Sequence, residues 1–414
     1  MVKGCKMKNT MLIKNIGMLA TPEGQGPRAG ALQNEIRVLR DAWILVEGGR
    51  IAAVGQGEAP VADEVLDARG QLVTPGLVDA HTHLVFGGWR QNELGLKLHG
   101  AGYLDILAAG GGILSTVRAT RAASTEELCE KTAAALDEML ALGVTTCEAK
   151  SGYGLDTETE FRQMEVVRKL NEDHAMDLVS TFLGAHALPE EYKEDREGYL
   201  RLLTEEMIPR AAAEGLAEYC DVFCEKGVFT AEESRRVLEA GIRHGLKPKI
   251  HTDEIECIGG TEVCAELNAV SAEHLIVCDQ NGIDALVRGG TIACLLPATS
   301  FYLGATYAPA RAMIEAGVPV AVASDFNPGS CPSLNLQFCM NIACLRYRMT
   351  PEEMLTAVTL NAAAAIGRAG QVGSIEPGKK ADLVLWNAPD LDYLAYRMGS
   401  NLAEKVIKNG RIVK

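Results

Sequence analysis

Residues 73–83 read Val73-Thr-Pro-Gly-Leu-Val-Asp-Ala-His81-Thr-His83, an apolar run that closes on two histidines one residue apart. Residues i and i+2 of a strand point to the same side, so both imidazoles can meet one metal ion. A His-x-His pair is weak evidence alone. Its surroundings strengthen it, because the rhythm of the chain changes at this point.

From this run onward, strand-like segments alternate with amphipathic stretches long enough for helices. The strand-like runs are Val78–Phe86, Thr145–Ala149, Leu178–Leu183, Cys220–Phe223, Pro248–Thr252, Val270–His274, Thr291–Leu296 and Pro319–Ala323. Capping chemistry opens several of the intervening stretches: Ser124 with Glu127, Thr230 with Glu233, and Thr350 with Pro351 and Glu353. Parallel strands need crossovers, and eight such units match a closed (β/α)8 barrel better than an open doubly wound sheet. No Gly-x-Gly-x-x-Gly follows the first strand, which weakens a dinucleotide-binding reading. A large α/β sheet of other topology is the alternative.

The two chain ends differ from this middle. Trp43-Ile-Leu-Val-Glu-Gly-Gly-Arg-Ile-Ala-Ala-Val-Gly reads as a β-hairpin, and Lys405-Val-Ile-Lys-Asn-Gly-Arg-Ile-Val-Lys carries the Asn409-Gly410 turn signal. Residues 1–75 and 375–414 are therefore expected to pair into one small discontinuous β-sandwich domain, with residues 76–374 forming the barrel.

Bulk composition narrows the partners. Apolar residues make up 47% and charged residues 23% of the 414, as in ordinary globular proteins, and the net charge is −15. That balance argues against nucleic acid or an anionic membrane as the main partner. No apolar run approaches the roughly 18 residues of a membrane span, and Met1 to Asn15 lacks the apolar core of a signal peptide. Of the twelve cysteines, many lie within apolar runs and none forms a Cys-x-x-Cys pair. Free thiols in a reducing cytoplasm are the expectation.

The later strand ends supply further metal-ligand candidates: His251 with Asp253 and Glu254, Glu273 with His274, and Asp325 with Asn327. Barrel enzymes place their sites at this end of the strands. Imidazoles plus a carboxylate suit zinc or ferrous iron. His174 and His244 read as exposed residues near helix ends, and His99 has no partner in the pattern. Gly110-Gly-Gly112 lacks the Lys-Ser/Thr of a phosphate loop and reads as a flexible segment.

These residues resemble the amidohydrolase superfamily and, within it, the imidazolonepropionases, over nearly the whole chain. The superfamily marks are Pro75-Gly-Leu-Val-Asp-Ala-His81-Thr-His83 and Gly373-Ser-Ile-Glu-Pro-Gly-Lys-Lys-Ala-Asp382. More specific are Gly87-Gly-Trp-Arg90, Lys150-Ser-Gly-Tyr153, Gly184-Ala-His186, His251-Thr-Asp-Glu254 and Asp325-Phe-Asn327-Pro-Gly329-Ser330. Thr252 and Ser324 depart from the family pattern, which has alanine and threonine there.

The resemblance implies one divalent metal ion, zinc or iron, held by His81, His83, His251 and Asp325. It implies contacts to substrate from Arg90, Tyr153, His186, Glu254, Asn327, Gly329 and Ser330, and catalytic roles for Asp325, His274 and Glu254. Without it, Arg90 would read as a surface salt bridge, Tyr153 as packing and His186 as a satisfied histidine at a strand end. The implied substrate is a small molecule with a carboxylate tail, 4-imidazolone-5-propanoate, hydrolysed at its ring amide to N-formimidoyl-L-glutamate. Lys150 follows the second strand and reads as structural, unlike the carboxylated lysine of two-metal relatives, so a single metal is expected. A homodimer completes the expectation, and the sequence leaves open whether the lid-like segment Gly100–Gly112 closes over substrate. The rival readings are a deaminase of a nucleobase-like heterocycle and a metal-free scaffold protein.

Overall fold

The computed structural model describes residues 10–100 and 111–414. Thr10–Thr21 (β1), Arg37–Glu47 (β2), Arg50–Gln56 (β3), Glu64–Asp67 (β4) and Leu72–Pro75 (β5) come first. The β2–β3 hairpin turns through Gly48 and Gly49, whose φ values of 55° and 79° are both positive, as a type I′ turn requires.

Eight parallel strands follow: Leu77–Asp79 (β6), Val144–Lys150 (β7), Asp177–Ala185 (β8), Tyr219–Cys224 (β9), Lys247–Thr252 (β10), Ser271–His274 (β11), Ile292–Leu295 (β12) and Val320–Val322 (β13). They pair in sequence order from β6 to β13. The circle closes where the Asp325 N–H donates to the His81 carbonyl (3.0 Å) and the His83 N–H to the Phe326 carbonyl (2.9 Å). The fold is thus a parallel barrel with helices between its strands, as the alternating pattern predicts. All three expected capping boxes form, at Ser124–Glu127, Thr230–Glu233 and Thr350–Glu353.

Leu383–Trp386 (β14), Ala403–Lys408 (β15) and Arg411–Ile412 (β16) return to the first strands. They extend one mixed sheet in the order β16-β15-β14-β5-β1-β2-β3, with β4 also on β1, so both chain ends build it. Asn409 and Gly410 make the second hairpin turn, again with positive φ at both positions. The sheet has its own core, which includes Ile13, Ile44, Leu383 and Ile407. It feeds the barrel directly: β5 passes through Gly76 into β6, where any Cβ would strike the Thr145 side chain. The Trp386 indole N–H holds Thr74 Oγ1 at 2.8 Å beside that junction.

Alternate barrel residues fall into two apolar clusters. Ala293, Leu295, Val320 and Val322 face the helices, while Val78, Ile292, Cys294 and Ala321 face inward with the helix Leu360–Ala365. The first strand is shorter than the expected Val78–Phe86. Past Asp79 the backbone instead bonds in isolated steps to its neighbours, as where the Lys150 N–H donates to the Thr82 carbonyl (2.9 Å). No helix among the described residues is long and apolar enough to cross a membrane. Every described cysteine is a free thiol, and Cys257 is the exposed one.

Above the inward apolar layer lies a buried chain of charges. Glu148 takes Lys249 Nζ at 2.8 Å and Lys150 Nζ at 2.9 Å. Lys150 continues to Asp221 at 2.7 Å, and Lys249 to Glu273 at 3.3 Å. All five side chains are fully buried. Burial opposes the charge on both lysines, yet Asp221 and Glu148 hold Lys150 above its usual pKa, and Glu148 and Glu273 do so for Lys249. Thr181 and Ser271 hydroxyls also donate to Glu148 Oε1 and Glu273 Oε1, at 2.5 Å each. Removing one member of such a network strands its buried partners. Glu148→Ala is therefore expected to cost about 3–5 kcal/mol of stability by chemical denaturation. A loss below about 1 kcal/mol would mean the lysines are satisfied without it.

Candidate active site at the barrel mouth

The ends of the charge chain reach two of the expected ligands. Glu273 Oε2 lies 2.7 Å from His81 Nδ1, and Asp221 Oδ1 lies 3.1 Å from His251 Nδ1. A carboxylate there selects the tautomer with its proton on Nδ1. The opposite nitrogens, His81 Nε2 and His251 Nε2, are buried and have no hydrogen-bond partner among the described residues. They converge with His83: ligand atoms of His81, His83 and His251 all lie within 4.8 Å of one another. Asp325 Oδ1 sits 3.4 Å from His81 Nε2 and 3.5 Å from His83 Nε2. Three clustered imidazoles, two of them with an unpartnered Nε2, beside one carboxylate oxygen are a donor set that fits a divalent cation.

Burial holds His81 and His83 well below the usual imidazole range. It also pushes His186 down to about 3 and His274 down to about 4. These rings are neutral at pH 7 and keep a lone pair to offer. Asp325 stands at φ 58°, a left-handed conformation uncommon for a non-glycine residue, and its carboxyl is raised by burial. Its Oδ2 accepts from Thr299 Oγ1 at 2.6 Å, which fixes the carboxylate plane. The neighbouring Ser324, which departs from the family pattern, bonds locally: its hydroxyl accepts the Phe326 N–H at 3.1 Å.

The other expected residues surround this cluster. His274 joins His81 and Asp325 in a second close group, with its Nε2 3.7 Å from Glu254 Oε2. Burial pushes Glu254 up to about 7. His186 stacks on His83 with ring centres 5.0 Å apart and planes at 12°, and the Tyr153 ring lies 5.3 Å from His186. Asn327 spends its whole amide on its own loop: it donates to the Asp325 carbonyl and Ser330 Oγ, and accepts from the Gly329 and Ser330 N–H groups. Arg90 pairs bidentately with buried Glu93, at 2.9 Å for both bonds, and its guanidinium packs so closely on Gly329 that a Cβ there would overlap it. Arg90 is thus paired, though with a buried acid and not at the surface as its residue-level reading held, and turned toward the Asp325–Ser330 loop. Lys150 is locked in ion pairs beneath the ligands, in line with its structural reading. Of the lid-like segment, residues 101–110 lie outside the described residues.

Asp221, Glu148 and Thr299 were not singled out by the sequence reading. One signal was there to find. Glu148 and Lys150, Lys249 and His251, and Ser271 and Glu273 are i, i+2 pairs on buried strands, so each pair shares the inner face.

The amidohydrolase family model matches residues 72–413. The imidazolonepropionase of Alkaliphilus metalliredigens (strain QYMF) is 54% identical over 411 residues, covering 97% of each chain. That of Streptococcus sanguinis (strain SK36) is 50% identical over 414 residues, covering 98% of each. Among solved structures, E. coli guanine deaminase superposes with a TM-score of 0.75 over 99% of each chain, at 17% identity. That likeness shows the shared fold alone. By match length and identity, the chain belongs to the amidohydrolase family and, within it, to the imidazolonepropionases.

Proposed function

We propose that this protein hydrolyses the ring amide of 4-imidazolone-5-propanoate to N-formimidoyl-L-glutamate, using one zinc or iron ion held by His81, His83, His251 and Asp325. The observation that carries the metal reading is the buried, unpartnered His81 Nε2, which lies 3.4 Å from the Asp325 carboxylate and within 4.8 Å of ligand atoms of His83 and His251. Full-length relatives at 50–54% identity support this substrate over a heterocycle deaminase, whose likeness rests on the fold. Free thiols throughout the described residues fit a reducing compartment, and we assign the enzyme to the cytoplasm.

A divalent ion at such a site supplies Lewis acidity, which lowers the pKa of water from ~16 to about 7. The chain's own groups do the rest. Asp325, anchored through Oδ2 by Thr299, takes the proton of the attacking water and delivers it to the departing ring nitrogen. Glu254, with a carboxyl near 7, can give or accept a proton at neutral pH and orients that water together with His274. Tyr153 and His186 line the substrate side. Arg90 takes the propionate with the part of its planar fork that Glu93 does not occupy. Asn327 acts indirectly, by fixing the loop from Asp325 to Ser330.

The direct test is a spectrophotometric assay with freshly prepared imidazolonepropionate. Enzyme-dependent loss of substrate is expected to vanish after chelator treatment and to return with added zinc or iron. Absence of turnover by metal-replete protein would reject the substrate. Arg90→Gln is expected to lower kcat/KM by about 2–3 kcal/mol, mainly through KM, as for a lost charged hydrogen bond. An unchanged KM in folded Arg90→Gln would send the carboxylate elsewhere. A melting curve is needed beside it, because the substitution also removes the Arg90–Glu93 ion pair.

A further inference from the structure

Beside the substrate-lining face, one buried acid has no part in the chemistry above. Glu160 lies in the first turn of the helix Thr157–Asp173 and is fully buried. Its carboxylate gathers the backbone of the loop after β7. Oε1 accepts from the N–H groups of Gly154 (2.7 Å), Leu155 (2.9 Å) and Gly152 (3.1 Å), and Oε2 accepts from Gly152 (2.9 Å). The loop needs this support, because it holds two residues at positive φ, Gly152 at 109° and Leu155 at 55°. A Cβ at Gly152 would lie 2.7 Å from His186 Nδ1.

The gathered loop carries one aromatic group of that face, Tyr153, and holds the other, His186, which follows β8. The Gly152 carbonyl lies 3.0 Å from His186 Nδ1, so it takes that proton and leaves Nε2 as the acceptor nitrogen. Tyr153 is the next residue; its N–H donates to Gln163 Oε1 at 3.3 Å, and Gln163 Nε2 in turn holds the Val85 carbonyl at 2.6 Å. One helix thereby clamps the loop at two points, with Glu160 making most of the bonds.

We propose that Glu160 is a positioning residue for substrate recognition: through the backbone of Gly152–Leu155 it sets the placement of the Tyr153 ring and the tautomer of His186. The assignment rests on the reading above that these two side chains meet substrate. Glu160 itself touches neither the metal ligands assigned above nor the substrate, so its influence falls on KM and not on metal retention.

The test compares Glu160→Gln, Tyr153→Phe and His186→Asn with the wild-type holoenzyme in the imidazolonepropionate assay, with metal content and melting temperature measured on each. In Glu160→Gln the side-chain amide keeps the shape but loses the charge and turns an N–H₂ toward the loop N–H groups. This variant is expected to raise KM about tenfold, the scale of a lost charged hydrogen bond. Its kcat is expected to stay within about threefold and its metal content unchanged. Glu160→Asp, which keeps the charge but falls short of the loop, is expected to show the same split, and it replaces Glu160→Gln if that variant does not fold. Raised KM in Tyr153→Phe and His186→Asn with normal KM in the Glu160 variants would overturn the positioning role. Normal KM in Tyr153→Phe and His186→Asn would remove the subsite reading and the proposal with it.

Discussion

Everything at the mouth of this barrel depends on one buried run of alternating charge, from His81 through Glu273, Lys249, Glu148, Lys150 and Asp221 to His251. A barrel interior filled with branched apolar side chains would be the simpler core. Here the layer under the site is ionic, and it must be, because two imidazoles have to present a defined nitrogen. A buried carboxylate at each Nδ1 supplies that definition, but two unpaired buried carboxylates would be prohibitively unfavourable. The lysines offset them, and Glu148 keeps the lysines apart. Burial raises the energy of Glu273 as an anion, yet Lys249 and Lys150 outweigh it and hold its carboxyl below the usual range.

The upper half of the site is built differently, from loops that are held by their own side chains. Asn327 uses its complete hydrogen-bonding capacity to curl the Asp325–Ser330 loop, and Thr299 fixes Asp325 from the short helix Pro297–Leu303. The positive φ of Asp325, and of His274 at 72°, is conformational strain retained where the proposed ligand and catalytic groups are placed. The barrel closes through the same residues, since the Asp325 N–H bonds the His81 carbonyl. The placement of the proposed metal ligands and the closure of the barrel are therefore one constraint.

Much of this could be read from the chain. Strand–helix alternation marked all eight barrel strands because buried parallel strands are continuous apolar runs, and the capping boxes marked helix starts because their chemistry is local. Gly48-Gly49 and Asn409-Gly410 specified their hairpins for the same reason. The histidines and Asp325 stood out because polar residues at apolar strand ends are rare. What escaped was the part set by tertiary packing. Asp221 and Glu148 sit mid-strand, where sequence alone does not say which face is inward or which distant lysine is opposite. Glu93, three residues past Arg90, is the local acid that the salt-bridge reading of Arg90 left unnamed. The first strand was overextended because its apolar run continues past the point where its backbone changes partners.

The central claim is that the buried carboxylates set the nitrogens that hold the ion. It is tested most directly by measuring zinc affinity of Glu273→Gln against the wild type by chelator competition, with apo-protein melting as a control for folding. The account predicts roughly 10–100-fold weaker binding in a variant that still folds, the scale for losing a carboxylate behind a ligating histidine. Unchanged affinity would show that His81 presents its Nε2 without Glu273, and would contradict the account.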